Sequence, residues 1–161
     1  MIIRDEHKTE LSEISRIVAE AFGGTDESLL IERLREDGDA VVSLVAVIGD
    51  AIAGHVMLSP MTAPFDALGL APLSVRPEYQ KQGAGTALVR AAITRAREMG
   101  ASAIFVLGDP EYYGRFGFRA DLATGFSSPY AGRHFMVLPL ASALESTLGQ
   151  VDYAPAFSSL A

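Results

Sequence analysis

One stretch narrows what this chain can be more than any other. An apolar strand, Leu73-Ser74-Val75, runs into a polar turn holding Pro77, and then into Gln80-Lys81-Gln82-Gly83-Ala84-Gly85. A helical pattern follows at once, so the glycines sit at a helix entry. The first N–H groups of a helix have no intrahelical acceptor, and the aligned peptide dipoles add partial positive charge there. Glycines let a bulky anion come close to that backbone. The stretch is therefore a seat for phosphate.

Two familiar phosphate seats lack a required residue. A P-loop needs Gly-Lys followed by Ser or Thr at the helix entry, whereas this chain has Gly83-Ala84-Gly85-Thr86. A dinucleotide fingerprint needs a third glycine where Leu88 stands. The pattern Q/R-x-x-G-x-G/A is met in full by Gln80, Gly83 and Gly85. Downstream, Gly108 to Phe118 reads GDPEYYGRFGF and contains Tyr-x-x-x-Gly-Phe as Tyr113, Gly117 and Phe118. With both motifs in order, the chain resembles the GNAT superfamily of acetyl-CoA-dependent N-acetyltransferases over roughly Ile2 to Leu140.

That resemblance implies an α/β (α+β) fold: a mixed, mostly antiparallel central sheet of six to seven strands, about four helices and a bulged central strand. It implies acetyl-CoA as cosubstrate, no metal, and a small-molecule or protein amine as acceptor. It also implies roles. Leu73, Ser74 and Val75 line the pantetheine arm, which pairs with strand backbone as an added strand would. The Val75 N–H polarises the acetyl carbonyl. Gln80, Lys81, Gln82, Gly83, Ala84, Gly85 and Thr86 hold the pyrophosphate, mostly through backbone donors. The family often has glycine where Lys81 stands, and lysine adds a charge near phosphate. Tyr113 gives a proton to the departing sulfur. Family members often carry an acidic residue on the central strand. Here that segment reads LGLAPLSV, which leaves the general base open between His55, His134, water and none.

Composition sets the outer limits. The chain has 161 residues, 49% of them hydrophobic, enough for one domain over 1–161 with its own core. Its formal net charge is −7 and it has no basic cluster, which argues against nucleic acid as a partner. There is no cysteine, so disulfides, thiolate metal sites and an acyl-cysteine route are excluded, and direct attack in a ternary complex is expected. No run has the length of a membrane span, and the first ten residues lack a signal-peptide core. A cytoplasmic protein with no membrane partner is the expectation. A homodimer through strand or tail pairing is a further option.

In order, the chain predicts a first strand to Arg4 and a helix from a Thr9 cap to Phe22. A second helix follows from a Thr25 cap to Gly38, with Leu29, Leu30 and Leu34 inward. Val41–Ile48 and Ala51–Ser59 form a hairpin through Gly49-Asp50, a type II′ turn. Pro60–Asp66 is a loop, either bordering the acceptor or an ordinary surface connection. Ala67–Val75 is a strand in which Pro72 marks an edge or bulge. Leu88, Val89, Ala92, Ile93, Ala96 and Met99 share one face of a third helix, Gly83–Met99. Ala103–Leu107 is a buried strand parallel to the one before it. Asp109 caps a short helix, Pro110–Arg115. Strands follow Gly117-Phe118 and cover His134–Leu138. Residues 141–161 form a tail packing on the domain, as a small hairpin or flap. Tyr112 reads as core or acceptor wall, and Arg115 and Arg119 as surface.

Two rivals remain open: a non-catalytic acyl-CoA-binding sensor or interaction module on the same fold, and a nucleotide-binding protein.

Overall fold

The computed structural model describes residues 1–159. Its sheet has six strands in the order β1 (Ile2–Asp5), β2 (Val42–Ile48), β3 (Ala51–Met61), β4 (Ala67–Val75), β5 (Ala103–Leu107) and β7 (Phe135–Pro139). Two short strands, β6 (Phe126–Ser127) and β8 (Gly149–Gln150), form a separate parallel pair. The described residues hold four α-helices: α1 (Leu11–Phe22), α2 (Asp26–Glu36), α3 (Ala84–Glu98) and α4 (Pro110–Gly114). β1–β2, β2–β3 and β5–β7 pair antiparallel, and β4–β5 pair parallel. This is the mixed, mostly antiparallel sheet expected from the sequence.

The chain forms two compact units. One comprises 1–59, 71–92 and the segment from Pro155 on, and the other comprises 60–70 and 93–154. In the first unit, α1 buries Ile14, Ile17 and Val18. Thr9 does not cap it, because residues 8–10 form a 3-10 turn. There the Glu10 carboxylate accepts the His7 N–H at 2.7 Å and pairs with Arg4 at 2.7 Å. α2 buries Ser28, Leu30, Ile31 and Leu34, while Leu29, expected inward, is 58% exposed. At about 100° per residue, Leu29 falls off the stripe shared by Leu30, Ile31 and Leu34. The Thr25 side chain makes no capping bond. The β2–β3 hairpin closes at Ile48↔Ala51, and Gly49 carries φ 62°, glycine first as a II′ turn requires.

The sheet carries an irregularity that the sequence did not announce. The β2–β3 register shifts between Ala46 and Val47, so that Ala46 faces Gly54, Val47 faces Ile52, and Ala53 is the extra residue. The Ala53 carbonyl then accepts the Arg76 N–H at 2.8 Å, tying the residue after β4 to this bulge. Pro72 lies beyond Gly69, the last residue of β4 registered with β5. A residue without an N–H costs nothing where no ladder bond is needed.

In the second unit, Phe65, Phe105, Phe126 and Phe135 build the core with Met61, Val137 and Val151. Phe105 stacks on Phe135 at 5.4 Å and meets Phe126 edge-on at 5.4 Å. Such pairs add about 0.5–1.5 kcal/mol beyond their buried area. Met99 is 48% exposed because α3 ends at Glu98, before the apolar face reaches it. The strand expected directly after Phe118 is reduced to an isolated bridge between Arg119 and Val137, and a 3-10 turn begins at Asp121. The tail is neither hairpin nor flap. Gly149–Gln150 pair parallel to β6, Asp152 bridges Thr62, and Val151 is fully buried. In the first unit, the 3-10 turn Pro155–Ser159 packs on α2 and buries Ala156 and Phe157. Leu160 and Ala161 lie outside the described residues.

Candidate functional site

β4 alternates at its C-terminal end: Leu73 and Val75 are half-buried and Ser74 is buried. Its close approach to β3 depends on Gly54, where a Cβ would lie 2.6 Å from the Ser74 carbonyl oxygen and 3.2 Å from Leu88. The sequence reading passed over Gly54, although an isolated glycine inside a β-run is the usual sign of close backbone approach.

From Val75 the chain turns through a 3-10 segment, Pro77–Tyr79, into the glycine loop. Gln80 ties the loop back to the strand, its amide donating to the Val75 carbonyl at 3.2 Å. Gln82 donates to the Glu78 carbonyl at 3.3 Å. Lys81 carries φ 65° and Gly83 φ 87°, two left-handed residues flanking Gln82. Lysine in this region is uncommon and costs about 1–2 kcal/mol. Alternation of this kind turns successive N–H groups to one side, a concavity suited to an anion. Lys81, Gln82 and Gly83 are exposed, and α3 begins at Ala84 with fifteen residues of aligned peptides behind it. Gly85 and Thr86 lie in its first turn. The loop as folded can take phosphate on backbone donors.

Tyr113 belongs to α4. Asp109 caps that helix as expected, its Oδ1 accepting the Glu111 N–H at 3.0 Å with Pro110 in the first position. The Tyr113 ring lies against Gly108, where a Cβ would fall 2.5 Å from Cε2. It also packs edge-on to Tyr112 at 5.0 Å and Phe118 at 5.7 Å. Burial, and then the neighbouring Tyr112, push its phenol up to about 12. The group therefore keeps its proton at neutral pH and can give it to a stronger base. Tyr112 stacks under Arg115, whose guanidinium lies 4.7 Å above the ring. Arg119 is an exposed partner of Asp121 at 2.6 Å, as its surface reading anticipated.

Two residues here were not expected. Gly108 seats the tyrosine ring. Tyr153 packs on Gly69, where a Cβ would lie 2.7 Å from its ring. The Tyr153 phenol is raised by burial, then by Tyr130 and Tyr113. Its signal was missing because the tail shows no periodicity.

His55 and His134 differ sharply. His55 is fully buried, with Nε2 2.8 Å from Ser43 Oγ. That hydroxyl donates to Glu6, so it accepts from the ring, and Glu6 is also held by Arg35 at 2.6 Å. Desolvation, and then Arg35, push His55 down to about 3. It is a neutral core residue out of reach of a substrate amine. His134 is exposed in the turn just before β7.

The stretch Pro60–Asp66, expected as a loop, begins as the end of β3, and it lines a cleft of about 640 Å³ with Met99, Gly100, Ala101 and Glu145. That cleft lies at the N-terminal end of β4, the end away from Val75. Among the described residues no group of three or more His, Asp or Glu could hold a metal ion. No helix there is long and apolar enough to cross a membrane.

Residues 10–118 match the model of the Acetyltransferase (GNAT) family. The Escherichia coli (strain K12) protein called uncharacterized N-acetyltransferase YhbS is 33% identical over 160 residues, covering 95% of this chain and 96% of its own. The crystal structure of E. coli YhbS in complex with CoA superposes with a TM-score of 0.91 at 32% identity, covering 99% of this chain and 93% of that one. A GNAT family acetyltransferase from Brucella melitensis in complex with acetyl-CoA gives 0.83 at 30% identity, covering 97% of each chain. The strand, the glycine loop at a helix entry and the tyrosine helix thus occur in a chain that belongs to the GNAT family of acetyltransferases.

Proposed function

We propose that the protein moves an acetyl group from acetyl-CoA to a primary amine by direct attack in a ternary complex, as one acyltransferase domain over 1–161. The carrying observation is the loop from Gln80 to Thr86. Its two left-handed residues and its place at the entry of a fifteen-residue helix provide backbone donors for a diphosphate. The relatives solved with CoA and acetyl-CoA support the same choice of cosubstrate.

In this reading Gln80, Lys81, Gln82, Gly83, Ala84, Gly85 and Thr86 bind the pyrophosphate. Leu73, Ser74 and Val75 offer backbone to the pantetheine arm, beyond the Gly69 limit of β5 pairing. The Val75 N–H polarises the thioester carbonyl. The amine lone pair attacks the carbonyl carbon, the C–N bond forms, and the C–S bond breaks as the oxyanion collapses. Tyr113 supplies the proton that the leaving sulfur needs and recovers one from solvent. Acetyl-CoA supplies the acyl group, and this chain supplies position, polarisation and that proton. The acceptor is a small molecule or a protein amine.

Acetyl-CoA binding followed by thiol release on a panel of primary amines tests this. Release with at least one amine is expected. Tight binding without release across the panel favours the acyl-CoA sensor, a reading that the carboxylate-free β4 sequence keeps in play.

A further inference from the structure

The amine must lose a proton during the reaction, and the geometry of Gly108 points to the group that takes it. Two hydrogen bonds fasten His134 to this glycine. The Gly108 N–H donates to the His134 carbonyl at 2.9 Å, and the imidazole Nδ1 lies 3.1 Å from the Gly108 carbonyl. A carbonyl oxygen only accepts, so in the neutral ring the proton is on Nδ1. Nε2 is left with its lone pair. The Arg133 guanidinium, a donor only, lies 3.5 Å from Nε2 and agrees with the same tautomer. The ring is exposed, unlike that of His55. The Cα of Gly108 is covered by the ring of Tyr113. One residue therefore carries a phenol that holds its proton and an exposed imidazole whose Nε2 lone pair faces the Arg133 guanidinium at 3.5 Å, the long limit of a hydrogen bond. Asp109, next in the chain, is committed to the α4 cap.

We propose that His134 is the general base of this enzyme, through Nε2. The assignment rests on the acetyl-transfer reading above. As the amine nitrogen bonds to the acetyl carbon, its proton passes to Nε2. As the C–S bond breaks, the Tyr113 proton passes to sulfur. The imidazolium then returns its proton to solvent and the phenolate takes one back, so one amide and one thiol leave with no net proton change. Arg133, on its own segment, is the charged group against the ring, while Asp109 and Tyr113 follow Gly108 at the cap and within α4.

His134→Asn separates holding from chemistry. Asparagine Nδ2 can reach the Gly108 carbonyl where Nδ1 does, but nothing replaces Nε2. The expected result is unchanged acetyl-CoA affinity, a fall in kcat/KM for the amine of about 10²-fold, and loss of one limb of the pH profile. External imidazole should partly restore His134→Ala. In the free wild-type protein, imidazole ¹⁵N shifts should report the Nδ1–H tautomer. An asparagine variant with wild-type rate and pH profile overturns the proposal alone, as does an Nε2–H tautomer. Absence of thiol release by the wild type on every amine overturns the acetyl-transfer reading and this assignment with it.

Discussion

The sequence singled out Tyr113 as a candidate because it stands four residues before Gly117-Phe118. Its environment was not legible there, since neither the Gly108 seat nor the upward shift has a local signature. The shift carries a consequence. A phenol near 12 rather than its ordinary 10 stays protonated through neutral pH, so under the proposed role the acid limb should not fade until strongly alkaline conditions. Tyr113→Phe should lower kcat by about 10²-fold, the modest end for acid catalysis because thiolate is already a fair leaving group, with acetyl-CoA affinity unchanged. Steady-state kinetics beside calorimetric titration check both halves. Gly83 makes a second case. Its φ of 87° is left-handed and open space surrounds its Cα, so alanine meets no clash but a strained backbone. Gly83→Ala should cost about 1–2 kcal/mol in a urea melt and weaken acetyl-CoA binding by bending the donors away. Equal affinity in the variant contradicts the role given to this loop.

At the scale of elements, periodicity located the strands and helices but could not show how they close on one another. The II′ hairpin and the α4 cap were readable because each depends on two or three neighbouring residues. Leu29 and Met99 were misplaced because their burial depends on where a helix stops and which stripe faces the sheet. The bulge at Ala53 and the tight passage at Gly54 depend on the partner strand, which no local pattern records. They have weight here, since Gly54 lets the Ser74 carbonyl approach and Ala53 anchors Arg76. Gly54→Ala puts a methyl 2.6 Å from a backbone oxygen that cannot swing aside. It should destabilise by about 1–3 kcal/mol and move the end of β4, with amide shifts at Ser74 and Val75 as the readout. Unchanged shifts there contradict the close contact.

Across the molecule, the formal net charge of −7 and the lack of cysteine bounded the chemistry expected from the sequence. The group formed by half-buried Glu6 and Arg35 with buried Ser43 and His55 was invisible in sequence, because it gathers one residue each from four separate segments. It predicts how stability depends on pH. His55 is held at about 3, below its ordinary 6.5, so the folded ring is neutral while the unfolded ring takes up a proton as pH falls. Stability from this group is complete above 6.5 and is lost as pH falls from there towards 3, at up to about 1.4 kcal/mol per pH unit. Glu10, lowered to about 2 chiefly by its bond to Arg4, adds its own loss from about 4.5 downward. The urea midpoint should therefore drop between about pH 7 and pH 5, while the His55 ring resonances hold still. A His55 ring that titrates across that interval contradicts the buried assignment.

The central claim is that the backbone from Gln80 to Thr86 holds the diphosphate of acetyl-CoA. Backbone amide shifts of the labelled protein, followed through a titration with acetyl-CoA, test it most directly. The account predicts saturable shifts largest at Lys81, Gln82, Gly83, Ala84, Gly85 and Thr86. Saturable binding that leaves those amides unmoved, or no binding at all, contradicts it.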